Sequence, residues 1–246
     1  MMVMVYATGA VSGGNLNPAV SFALGLSGDL KWSLVFGYWV VQLAAGYSAA
    51  ALVNMFAPTP LSLGPVAPYV GWHAMAAEVL YTFMLCFVVL NCAASKRNTT
   101  QVLADGDGKA SAASSSGSGN QFFGLAIGFV IVAGGFATGG ISGAAFNPAV
   151  AMGLDTKYKG LNWGIWYAMF ELLGASLAYM FYSIVRPDER MSTTDFMNYD
   201  ALLSTRCVSE FVGTFMVVIT ACLCLVTGAE GNAFAVAAAM MCMMYS

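Results

Sequence analysis

The sequence predicts an all-α membrane protein: a bundle of spanning helices into which two short half-helices re-enter. Three observations predict it. Apolar residues make up 59% of the 246 residues and charged residues 9%, whereas soluble domains carry about 25% charged residues. Five apolar runs approach or exceed the ~20 residues that a spanning helix needs. One nine-residue pattern occurs twice, each time ahead of an apolar run too short to cross a bilayer.

The same composition excludes other classes. So few charges cannot cover a water-facing surface, which argues against a soluble enzyme. A net charge of −3 without any basic cluster argues against a nucleic-acid partner. The cysteines at 86, 92, 207, 222, 224 and 242 lie in or beside apolar stretches without metal-ligand spacing, so they read as free thiols. No metal or cofactor is expected. Residues 1–6 are apolar with no basic segment ahead of them, so no cleavable leader is expected.

The elements follow in order. Residues 1–11 form an apolar piece too short to span. Residues 32–57 run without a charge. Residues 58–72 carry Pro58, Pro60, Pro65 and Pro68 and read as a stiff irregular loop. Residues 72–94 form a span with one carboxylate, Glu78. Residues 95–120 contain Lys96, Arg97, Asp105, Asp107, Lys109 and a Ser/Gly tract, and read as a flexible polar linker. Residues 122–139 form the next span, and 161–185 another, with Glu171 inside it. Residues 186–206 are polar, with Arg186, Arg190 and Arg206. Residues 207–228 hold Glu210, and 232–246 form a second short apolar piece.

Placing Lys31 in the cytoplasm puts 95–120 and 186–206 there too. Lys31, Lys96, Arg97, Lys109, Arg186, Arg190 and Arg206 then lie inside, with only Lys157 and Lys159 outside. That agrees with the positive-inside rule. The sequon Asn98-Thr99-Thr100 would lie in the cytosol. His73 and most tryptophans fall near span ends, as interfacial anchors would.

Ser12-Gly-Gly-Asn-Leu-Asn17-Pro18-Ala19-Val20 matches Ser142-Gly-Ala-Ala-Phe-Asn147-Pro148-Ala149-Val150 at an offset of 130. Asn is a preferred N-cap, and Pro is favoured at the first helical position because its missing N–H would be unpaired there. Each pattern therefore predicts a short helix starting at Pro18 or Pro148. Irregular backbone precedes each, and at membrane depth such backbone persists only beside a wet cavity or inside protein. Two broken helices in matching halves point to a site near the middle of the bilayer.

On these motifs the chain resembles the aquaporin, or major intrinsic protein, family. The two Asn-Pro-Ala boxes carry most of the resemblance. Glu78-x-x-x-Thr82-Phe83 and Glu210-x-x-x-Thr214-Phe215 are similar to the segments that open each half of the family fold. Tyr38-Trp39 with Gln42-Leu-Ala-Ala-Gly46 resembles its third span, and Trp166-Tyr167 with Leu173-Gly174-Ala175 its sixth.

The resemblance implies an aquaporin-like helical bundle whose half-helices meet N-terminus to N-terminus. Each N-terminus carries roughly +0.5 charge, and Asn17 and Asn147 donate amide hydrogens to a passing water or hydroxyl. Water held that way cannot relay a proton. Glu78 and Glu210 are implied to be structural carboxylates that accept from backbone N–H groups of the box loops. The family's selectivity ring maps to Gly135, Ala144, Val150 and Val236. Where its water-strict members carry Arg, this chain has Val150. That implies a permissive passage for water and small neutral solutes such as glycerol or urea. A homotetramer in a lipid bilayer is implied too. Glu171 stands where the family usually has Pro, and its role stays open from sequence.

The order is unusual. The segment resembling the first span, 207–228, comes last, and Met240–Ser246 resembles Met1–Ala7 at a period of 239. Residues 1–185 then read as a channel lacking its first span and the start of its second. Residues 186–206 read as a cytoplasmic linker. Residues 207–246 read as the first span and start of the second span of a following copy, or of a circularly permuted one. A passive channel is expected. A secondary transporter with broken helices and a non-conducting truncated product are the alternatives. No hydrolytic or redox constellation is present, so no enzyme is expected.

Overall fold

The computed structural model describes residues 1–57, 61–96, 100–104, 110–114, 122–155, 163–192, 195–196 and 199–246. Pro58, Pro60, Arg97, Asn98, Thr99, Asp105, Asp107, Lys109, Lys157, Lys159 and the Ser/Gly tract from 115 lie outside them. Nine α-helices are described: α1 (Met2–Ser12), α2 (Pro18–Ser27), α3 (Trp32–Asn54), α4 (Gly71–Val89), α5 (Phe123–Ser142), α6 (Pro148–Leu154), α7 (Trp163–Val185), α8 (Leu203–Thr227) and α9 (Asn232–Tyr245). Helix α4 widens into a π-turn at Leu90–Ala94. In the expected linker, backbone 100–104 pairs antiparallel with 110–114.

Helices α3, α5, α7 and α8, and α4 with its π-turn, are long and apolar enough to cross a membrane. The hydrophobicity of α3, α4 and α5 is nearly uniform around the axis, as expected for helices bathed in lipid or buried in a bundle, whereas α8 is one-sided. Helix α4 is the central one: Tyr81 through Cys92 form an unbroken buried run. It packs along α7 on one side and α5 on the other, while α9 lies against α5 and α8. The half-helices α2 and α6 are wedged between α3 and α7.

Small residues permit that wedge. A Cβ on Gly46 would lie 2.4 Å from the Ala149 carbonyl oxygen, and one on Gly174 2.6 Å from that of Val79. Backbones therefore touch at both places, the usual device for close helix packing in lipid.

The two short end helices do not share one position. Met2 and Tyr6 of α1 rest on Gly128 and Gly124 of α5. Cys242 of α9 donates to the Ala126 carbonyl at 3.1 Å, and Tyr245 meets Phe122 at 6.0 Å between ring centroids. Helix α9 buries Ala235, Ala238, Ala239 and Cys242, whereas α1 buries only Val5.

Candidate functional site

The two boxes repeat in backbone conformation as they do in sequence. Gly13 and Gly143 have φ of 81° and 83°, Gly14 and Ala144 63° and 55°, and Leu16 and Phe146 55° and 49°. Asn17 and Asn147 are extended, at −155° and −159°. Left-handed backbone is unfavourable for Leu, Ala and Phe, so surrounding contacts must hold it. Ser12 Oγ accepts from Gly14 N–H at 3.4 Å, and Ser142 Oγ from Ala144 N–H at 3.1 Å. The Tyr38 and Tyr167 hydroxyls donate to the carbonyls of Ser12 and Ser142, each at 2.8 Å.

Each box starts a helix as predicted. Asn17 Oδ1 accepts from Ala19 N–H at 2.8 Å, and Asn147 Oδ1 from Ala149 N–H at 2.9 Å. Pro18 and Pro148 occupy the first turn. The amide nitrogens reach across: Asn17 Nδ2 donates to Phe146 O at 2.8 Å and Asn147 Nδ2 to Leu16 O at 3.0 Å. The two half-helix N-termini are thereby clasped head to head. Asn17 is fully buried, and Asn147 keeps partial exposure.

The approach to the second box is fixed by carboxylates. Glu78, fully buried on α4, accepts from Ser142 Oγ at 2.6 Å, Ala145 N–H at 3.1 Å and Phe146 N–H at 2.7 Å. Glu171, fully buried on α7, accepts from Asn147 N–H at 2.9 Å. Three successive amides are thus held by two side chains from two helices.

The first box lacks this support. Glu210 lies exposed on α8, in an apolar groove with Phe211, Phe215, Val218 and Cys222. Among the described residues Glu210 makes no hydrogen bond to the first box, and α8 packs chiefly on α9, α5 and α7. Among the described residues, none accepts from the backbone amides of Asn15, Leu16 or Asn17. A cavity of about 200 Å³ leads up to this box, lined by Ser12, Gly13, Asn15, Val20, Leu24 and Asp29 among others.

The residues of the ring are placed as follows. A side chain added at Gly135, or one turn on at Gly139, would meet nothing within 4 Å. Ala144 and Val236 are partly buried, and Val150 is exposed. His73 is a helix cap: its Nδ1 accepts from Val70 N–H at 3.2 Å, and its ring stacks on Trp72 at 3.6 Å.

Sequence reasoning missed the part played by Tyr38, Tyr167 and Glu171. A signal was present, since Tyr38 and Gln42 are spaced as Tyr167 and Glu171 are.

Paired half-helices clasped by capping asparagines inside a bundle of apolar helices define an integral, multi-pass membrane protein. The profile described as Major intrinsic protein matches residues 1–106 and again residues 102–246. The chain belongs to the major intrinsic protein family. It is 29% identical over 193 residues to a probable aquaporin NIP-type of Nicotiana alata, covering 77% of this chain and 64% of that relative. It is 30% identical over 206 residues to probable aquaporin TIP1-2 of Oryza sativa subsp. japonica, covering 79% and 73%. Against aquaporin NIP1-3 of the same rice it is 31% identical over 209 residues, covering 84% and 66%. With the Nicotiana relative and with aquaporin NIP2-1 of Zea mays, the match spans under two thirds of the relative's length, 64% and 59%.

Proposed function

We propose that this chain forms a passive channel for water and small neutral solutes that excludes protons and ions. The observation that carries this reading is the reciprocal clasp of Asn17 and Asn147. Each side-chain amide has two hydrogens, and the clasp uses one. Asn147 keeps partial exposure, which leaves its second hydrogen for a solute oxygen. The N-terminal ends of α2 and α6 face each other, each contributing roughly +0.5 charge. A cation meets that field unfavourably, while a water or hydroxyl accepts from the Asn147 amide. Single-file water oriented this way has no continuous proton wire.

Solute breadth rests on Gly135, Ala144, Val150 and Val236. None carries a fixed charge, and two lack any side chain beyond Cβ, so the ring is wide and apolar. Family membership supports a homotetramer.

Stopped-flow light scattering of proteoliposomes tests the channel. An outward osmotic gradient must shrink protein-loaded vesicles faster than protein-free ones, and a glycerol gradient must give re-swelling. Water flux without glycerol flux would refute the permissive ring. Flux that follows an imposed proton or sodium gradient would mark a transporter instead.

We infer further that Glu210, on the outward face of α8, serves the first box of a following copy of residues 1–185, while the opposite face of α8, and α9 with it, stays packed on this chain. Glu210 repeats the Glu-x-x-x-Thr-Phe pattern of Glu78, yet it stands exposed while the first-box amides lack an acceptor. A first box from another copy supplies the donors that Glu210 is spaced to meet. The rival reading, a permuted single copy, closes Glu210 on its own first box.

A further inference from the structure

We propose that Glu171 is a positioning residue for the second box: it orients Asn147 by holding the backbone amide of that residue. This rests on the channel reading above. Glu171 is fully buried beside the carboxyl of Glu78, and its Oε1 accepts from Asn147 N–H at 2.9 Å. Phe146, immediately before, has φ of 49°. That left-handed turn is unfavourable for Phe, and a buried carboxylate accepts from the backbone on each side of it. Glu78 supplies the restraint before it, at amides 145 and 146. Glu171 supplies the one after it.

The first box shows what happens without such a group. Tyr38 matches Tyr167 in bonding the serine carbonyl, so Gln42, four residues on, matches Glu171. Gln42 donates to Ser21 Oγ at 3.1 Å, and its Oε1 is buried without a partner. It does not reach the Asn17 amide. The two capping asparagines are therefore held differently: the backbone amide of Asn147 has a carboxylate acceptor, and that of Asn17 has none among the described residues. The second box is the braced one, and its side chain is also the one that retains exposure.

The test reconstitutes the full chain with Glu171→Leu, Glu171→Asp and Glu171→Gln, and measures water permeability and proton leak per protein quantified in the vesicle. Leu removes the acceptor. Asp keeps the buried carboxylate but falls a methylene short of the amide. Gln keeps an oxygen at the same reach. Leaving the Asn147 N–H unpaired carries the desolvation cost of a buried donor and loosens the hold on Asn147. Glu171→Leu and Glu171→Asp therefore lower water permeability by about tenfold and raise the ratio of proton leak to water flux. Glu171→Gln restores both to within about twofold of the parent. A purely structural role would scale both fluxes together and leave their ratio unchanged. In an Asn147→Ala background, Glu171→Leu adds less than about twofold, because the group it orients is gone. Parent vesicles no faster than protein-free ones would sink the channel reading. Parent vesicles that conduct, with Glu171→Asp matching them in both permeability and ratio, would overturn this inference alone. So would an additive loss in the Asn147→Ala background.

Discussion

Asn17 and Asn147 each donate a side-chain N–H to the carbonyl that immediately precedes the other, at 2.8 Å and 3.0 Å. Each is also the N-cap of its own half-helix. One side chain therefore starts a helix and locks it to its counterpart. Replacing either with Ala removes a cap worth about 1 kcal/mol and a cross-bond of similar size. Each single variant is expected to lose about 2 kcal/mol in a denaturant titration from micelles. The double variant loses less than the sum, because one broken bond already loosens the other. Strict additivity would mean that the two bonds are independent and the clasp is not one unit.

Glu78 and Glu210 share a sequence pattern and differ in everything around them. Glu78→Ala strands Ser142 Oγ and the amides of Ala145 and Phe146. Each buried donor left unsatisfied in this way costs about 1–3 kcal/mol. In chains held as monomers in the micelles, with no second copy to cover it, Glu210→Ala on an exposed face changes stability by about 0.5 kcal/mol or less. Equal losses for the two in the same titration would contradict the exposed placement of Glu210.

The boxes were legible in the sequence because their chemistry is local. Asn-Pro at a helix start states both the cap and the first turn, and the 130-residue offset recurs in the left-handed residues at 14, 16, 144 and 146. The spans were legible because length and hydropathy need no partner. The carboxylates were only half legible. Glu78 and Glu210 look alike along the chain, and only the packing of α8, chiefly on α9, α5 and α7, separates them. Glu171 looked odd because its partner, the Asn147 amide, is a backbone group that no residue pattern marks. Whether 1–11 and 232–246 compete for one position was equally invisible, since both are short and apolar. It took the contacts of Tyr6 and Cys242 on different faces of α5 to part them.

Gly46 is a close-approach position. A Cβ there would meet the backbone oxygen of Ala149 at 2.4 Å, and that oxygen belongs to the first turn of α6. Backbone cannot swing aside as a flexible side chain can, so Gly46→Ala pushes α6 away from α3. The expected outcome is lower water permeability per protein together with a destabilisation of about 1–3 kcal/mol. Gly37→Ala on the same helix has nothing within 4 Å and serves as the control that leaves both unchanged. A Gly46→Ala protein indistinguishable from that control would show that α3 and α6 are not in backbone contact.

Val150 is exposed and follows the second Asn-Pro-Ala directly. Arg at that position is long enough to narrow a ring otherwise made of Gly135, Ala144 and Val236, and it adds a fixed positive charge. Val150→Arg is therefore expected to reduce glycerol re-swelling by about tenfold or more while water flux falls far less. Proportional loss of both fluxes would mean that this residue does not set solute size.

The partner of Glu210 can be identified by covalent trapping. Two forms of the chain, one with Leu16→Cys and the other with Glu210→Cys, are made in a background where the six native cysteines are Ser, and each carries a different tag. Cβ atoms in a disulfide lie ~3.5–4.5 Å apart, close to the separation that a carboxylate gripping the residue-16 loop would give. If Glu210 serves another copy, mild oxidation of the co-expressed pair yields a dimer carrying both tags. A single chain bearing both substitutions tests the other geometry. Quantitative closure within that chain, with no mixed dimer from the pair, would show that Glu210 folds back onto its own first box and that the chain is a permuted single copy. The cross-link discriminates because Glu210 has to reach one particular backbone loop, and only the identity of the chain that supplies the loop differs between the two arrangements.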